Sequence, residues 1–197
     1  MHTVIRMKSM FATIETDFVS LTASATSDDS DALLHSLAMH QVNPQIALPR
    51  KLSVDAALGL VVELKSKARI QNFSFTLRLD NSCKPGSPES GQGLDAQNWG
   101  HCGGTLMIGT EDGELLRDRH SWYEPDLTSY YPIVYLPDGF GLSIHRIPPH
   151  AELSFHFVVA HCHRDLGDDA TWFAVDVPHA TMIDSPIVSR ILFQCPS

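Results

Sequence analysis

Two stretches near the middle of the chain alternate apolar and polar residues with a period of two. In "AALGLVVELKSK", residues 56–67, Leu58, Leu60, Val62 and Leu64 alternate with Gly59, Val61, Glu63 and Lys65. In "ARIQNFSFTLRLDN", residues 68–81, Phe73, Phe75, Leu77 and Leu79 alternate with Asn72, Ser74, Thr76, Arg78 and Asp80. Alternation over this length predicts strands with one buried and one wet face. Strand signals recur in "TLMIGT", "SYYPIVYLP", "FGLSIHRI", "ELSFHFVVAH" and "SRILFQC". "ELLRDR" reads as a return strand after the turn at Glu111–Glu114, and "TWFAVDVP" as the second arm of a last hairpin.

One segment has a different period. In "SDDSDALLHSLAMHQ", Ser27 to Ser30 offer N-caps, and Leu33, Leu34, Leu37 and Ala38 fall on one helical face. The spacing predicts a helix over about 30–41, stopped by Asn43-Pro44. Residues 82–104, with six glycines and two prolines, read as one long loop. The chain 1–197 is thus expected to be a single domain. A segment 1–44 with a short N-terminal helix precedes an antiparallel β-sandwich over 45–197, because one-faced strands need a second sheet to cover them.

The run "SIHRIPPHAELSFHFVVAH" resembles the penultimate strands of immunoglobulin-like and fibronectin-type domains, with a proline turn before an aromatic-rich strand. It departs from them at Leu153, where those domains place a corner tyrosine.

Composition narrows the function. A formal net charge of −9 disfavours contact with phosphate backbones, so no nucleic-acid partner is expected. No apolar run reaches the ~20 residues of a membrane helix, and the first twenty residues lack a signal-peptide core. A cytoplasmic protein with no membrane partner is the expectation. The four cysteines, at 83, 102, 162 and 195, form no C-x-x-C pair and read as thiols. In an oxidising compartment Cys83 and Cys102 would be the first pair to test.

Most of the chemistry lies in "HFVVAHCHRDLGDD", residues 156–169. On a strand through 153–163, His161 and His163 share a face with Cα atoms about 6 to 7 Å apart, close enough for one metal. Asp165, or a distant residue such as His101 or His145, is expected to complete the shell; two imidazoles suit Zn or Cu, and a Cys102 thiolate would strengthen either. The competing reading is a strand whose last residues are polar because they are wet. His161-Cys162-His163 is similar to the His-Cys-His element of multicopper oxidases, but Arg164 to Gly167 lack the downstream histidine that element requires.

A weaker candidate is Cys102 in "NWGHCGGT", a thiol in a glycine loop. The segment "RHSWYEPDLTSYY" collects Arg119, Trp122, Tyr123, Tyr130 and Tyr131, and with Trp99 these are the residue types of binding hot spots. Neither phosphate-loop nor dinucleotide glycine patterns occur, nor a G-x-S-x-G or H-E-x-x-H motif. No cofactor is expected beyond Zn or Cu. The leading expectation is a non-enzymatic acidic binding module for a protein or small-molecule partner, a class of which inhibitor and immunity-type proteins are one example. The alternative is a small Zn- or Cu-binding protein or metalloenzyme.

Overall fold

A computed structural model describes residues 8–28, 33–43, 52–80, 84–123, 131–163 and 169–193. Among them the chain forms strands β1 (Lys8–Glu15), β2 (Ser20–Ser27), β3 (Leu33–Gln41), β4 (Ala56–Lys65), β5 (Ile70–Leu79), β6 (Ser87–Gly91), β7 (Leu94–His101) and β8 (Gly104–Glu111). Helix α1 (Gly113–Arg119) precedes β9 (Ile133–Leu136), β10 (Gly139–Ile147) and β11 (Glu152–Cys162). Helices α2 (Asp169–Val175) and α3 (His179–Asp184) and strand β12 (Ile187–Ile191) follow.

The protein is mainly β, as its alternating pattern implied. The strands make two antiparallel sheets, ordered β1-β2-β5-β10-β9 and β12-β3-β4-β11-β8-β7-β6. Residues of both sheets share one core, in which Phe73, Phe75 and Phe140 of the first meet Leu60, Val62, Phe155 and Phe157 of the second. Phe75 stacks on Phe157 with ring centroids 5.6 Å apart and meets Phe155 edge-on at 5.5 Å.

The seven-stranded sheet is dry on its outer face too. Val61, Met107, Val158, Ala160 and Cys162 pack there with Ala170, Ala174 and Val175 of α2 and Met182 of α3. Two glycines make this approach possible. A Cβ at Gly109 would stand 2.7 Å from Val175 Cγ2, and one at Gly59 would stand 1.8 Å from the end of Met182. The single wet face expected of β4 and of the β11 run is therefore replaced by burial on both sides along much of each strand.

Four expectations are corrected. The helix placed at about 30–41 is strand β3, held by antiparallel pairing to β4 on one side and β12 on the other. That pairing overrides the local helical spacing, since Leu37 turns to the core between the sheets while Ala38 and His40 are also buried. The glycine-rich stretch 82–104 is not one loop, because it contains β6 and β7. Its glycines punctuate hairpins. Gln92-Gly93 and Cys102-Gly103 are two-residue turns with positive φ at both positions, the geometry that suits the twist of paired strands.

"ELLRDR" is helix α1 rather than a strand. Asp112 caps it by accepting from the amides of Glu114 and Leu115 at 2.9 and 3.0 Å, and Arg117 and Arg119 sit in its last turn. "TWFAV" lies in α2, where Ala170, Thr171, Ala174 and Val175 bury one helical face. "SRILFQC" does supply an edge strand, β12, although it starts earlier, at Ile187.

Seating α2 over a bare backbone predicts a position-dependent response to added methyl groups. Gly109→Ala is expected to lower stability by about 1–3 kcal/mol, because the stiff Val175 side chain must move. Gly100→Ala, with nothing within 4 Å, is expected to change it far less. Urea midpoints measure both, and equal effects would show that α2 does not depend on this contact.

Candidate functional site

The end of β11 carries the predicted histidines. Strand β11 pairs with β4 so that His161 stands opposite Ala56, and the amide of Asp55 donates to the His161 carbonyl at 2.9 Å. This register sets the Asp55 carboxylate beside the residue that follows the strand. Its Oδ2 accepts from the His163 backbone amide and lies 3.2 Å from His163 Nδ1. The His163 amide is the main cause holding the Asp55 carboxyl below its ordinary range, and the His163 ring adds to it.

His161 faces inward and is 1% exposed, while His163 is exposed. The two rings meet edge-on with centroids 4.3 Å apart, and Phe18 stacks on His161. His161 Nε2 donates to the carbonyl of His101 at 3.3 Å, which leaves Nδ1 as the bare nitrogen of the neutral ring. That Nδ1 is buried and has no hydrogen-bond partner among the described residues. Burial also pushes the His161 ring below its usual pKa. Asp55, His161 and His163 each offer a ligand atom, all within 4.8 Å of one another. The structure thus brings the two predicted histidines together, with Asp55 as their carboxylate. Asp165, the ligand expected from sequence, lies outside the described residues.

A second group was not anticipated. On the opposite face of β11, His156 is fully buried, and its Nδ1 lies 3.0 Å from Nδ1 of His179, the first residue of α3. His156 Nε2 donates to the Val177 carbonyl at 2.8 Å, and His179 Nε2 lies 2.9 Å from Ser154 Oγ. Glu111, which ends β8, accepts the His179 amide at 3.0 Å on Oε1 and the Arg119 guanidinium on Oε2. These three residues also place ligand atoms within 4.8 Å of one another. The sequence signal was a single histidine inside "SFHFVVA", since a polar residue in a strand buried on both faces needs a partner. Its partner stands 23 residues away, and no local pattern points to it.

The aromatic residues proposed for partner binding are largely part of the packing. Trp99 is buried and donates to the Pro137 carbonyl at 2.9 Å. Tyr123 is buried, which pushes its phenol up to about 12. Trp122 meets Tyr123 edge-on and donates to the Glu152 carbonyl at 3.3 Å. Tyr131 is exposed along its ring, but its hydroxyl bonds to the buried Asp95, which also accepts from Tyr135 at 2.7 Å. Arg119 turns toward Glu111. Tyr130 lies outside the described residues. Cys102 is a free, exposed thiol at the tip of the β7–β8 hairpin, and Cys83 lies outside the described residues.

Comparison of the chain with protein-family models, with curated proteins and with solved structures found no match. The helices among the described residues include none long and apolar enough to cross a membrane.

The buried imidazole pair gives stability a pH dependence of definite sign. Burial lowers His156 to about 4 and His179 to about 3 from an ordinary 6.5. Below 6.5 the unfolded chain binds protons that the folded chain refuses, so stability present above that pH is lost as pH falls toward 4. With metal removed by a chelator, the urea midpoint should drop on going from about pH 7 to about pH 5, by up to about 1.4 kcal/mol per pH unit for each such histidine. A midpoint that stays flat over this interval would mean that the imidazoles titrate normally.

Proposed function

We propose that the protein is a metal-binding β-protein that holds one zinc or copper ion on Asp55, His161 and His163. The observation that carries this reading is His161 Nδ1, a buried lone pair with no partner among the described residues, on the far side of the ring from a carbonyl-bonded Nε2. A ring nitrogen fixed in this way by a bond on its far side is what a ligating histidine needs. Two nitrogens and one carboxylate oxygen suit zinc or copper(II) better than calcium or magnesium, which take oxygen ligands. Three protein ligands at a sheet end with His163 and Asp55 exposed leave a coordination position open to solvent. A metal-bound water or a small ligand would occupy that position.

The partner-binding reading stays as a second proposal, moved to another surface. Edge strand β12 and its flanks expose Ile187, Val188 and Leu192, with Leu192 86% exposed. An unpaired apolar edge suits the addition of a strand from a protein partner. The β-sandwich relationship to immunoglobulin and fibronectin domains belongs with this proposal. Between β10 and β11 the chain passes from one sheet to the other, as it does between strands E and F of those domains.

Equilibrium dialysis against zinc alone tests the first reading. His161→Ala combined with His163→Ala is expected to remove one bound equivalent, and Asp55→Asn to weaken that site by roughly tenfold or more. A double variant that binds as much zinc as the wild type would overturn it. For the second reading, Val188→Lys with Leu192→Lys should abolish binding of a partner without lowering the melting temperature. A partner retained by this variant would place the interface elsewhere.

A further inference from the structure

We infer that Glu111, His156 and His179 form a second metal site, closed and independent of the one at the sheet end, where a zinc ion fastens α3 to the seven-stranded sheet. The argument begins with the two imidazoles. His156 Nε2 gives its proton to the Val177 carbonyl, so its Nδ1 is a bare lone pair. His179 Nε2 faces Ser154 Oγ, a hydroxyl that both donates and accepts. Without an ion, Ser154 donates to His179 Nε2, and the single proton on His179 Nδ1 lies between the two Nδ1 atoms, 3.0 Å apart.

With an ion, the Ser154 hydroxyl turns round and accepts from Nε2, and both Nδ1 lone pairs point at the metal. Each ligating ring then donates its other N–H to an oxygen, the supporting arrangement typical of metal-bound histidine. The separation is already near the roughly 3.4 Å that tetrahedral zinc imposes between its ligand atoms.

Glu111 completes a donor set of two nitrogens and one carboxylate. Its oxygens are oriented by the His179 amide and by Arg119, and each keeps a lone pair to offer. The same guanidinium carries Nη2, which is buried and has no partner among the described residues, and a metal-bound water would satisfy it. The three ligands come from β8, β11 and α3, so an ion here ties together elements that otherwise meet through the packing of Met182 and the polar contacts above.

The test is zinc stoichiometry after refolding from denaturant with excess zinc, so that a closed site can fill. Wild type is expected to hold two equivalents, His161→Ala/His163→Ala one, Glu111→Gln one, and the three changes together none. If the double variant holds no zinc while wild type holds one, the buried group is a hydrogen-bonded pair only, and this inference fails while the sheet-end site stands. If wild type holds one equivalent that Glu111→Gln removes and the double variant keeps, the sheet-end reading fails and this one stands. Should Glu111→Gln not fold, the double variant itself decides. Cobalt(II) should give it the intense visible band of four-coordinate nitrogen and oxygen ligation, and zinc should slow hydrogen exchange across residues 179–184. Absence of both would overturn the proposal.

Discussion

The close approach of α2 and α3 to the outer face of the seven-stranded sheet sets the terms for everything polar beneath them. Gly59 and Gly109 remove the side chains that would hold the helices off, and Met182 and Val175 fill the space. Once water is excluded there, each buried polar group must find a partner inside the protein. Thr110 meets this demand by donating to the His156 carbonyl at 2.6 Å. His156 and His179 meet it through each other, and Val177 and Ser154 serve their outer nitrogens. The position of α3 decides whether His179 reaches His156 at all, so the second cluster depends on a contact between a glycine and a methionine.

Strands β5 and β10 were legible because their alternating apolar side chains answer to the core between the sheets, and β4 because Leu58, Leu60, Val62 and Leu64 keep that period although its other face is covered too. The strand β3 was not, because its burial on both faces produced a spacing that a helix shares, and only pairing with β4 and β12 settles the matter. Glycines in 82–104 signalled irregular backbone, whereas Gly93 and Gly103 mark two tight hairpin turns joining regular strands. Helix α1 had left a signal in Asp112 and the basic last turn, although two adjacent leucines outweighed it.

The candidate sites follow the same division. The pairing of His161 with His163 was readable because it lies within one strand period. Asp55 was not, since it arrives through the register of β4 against β11, from 108 residues away. Glu111 looked like a turn residue but is the last residue of β8, paired with Leu94. Its place beside His156 and His179 comes from α3, a helix in a stretch for which the sequence reading named no element.

Both clusters hang on β11, and the parity of that strand keeps them apart. His156 and His161 differ by an odd number of residues, so one ring enters the helix-covered face and the other the face between the sheets. Five residues of extended chain also separate them by roughly 17 Å along the strand. At that distance, with a wall of packed side chains between, occupation of one site has little direct electrostatic reach into the other. Their surroundings differ in the same sense. The sheet-end cluster has an exposed histidine and carboxylate, so an ion bound there would face solvent. The helix-covered cluster is closed, and an ion there would hold structure and meet no substrate. One strand, buried on both faces along most of its length, thus places histidine on each, one cluster open to solvent and the other closed.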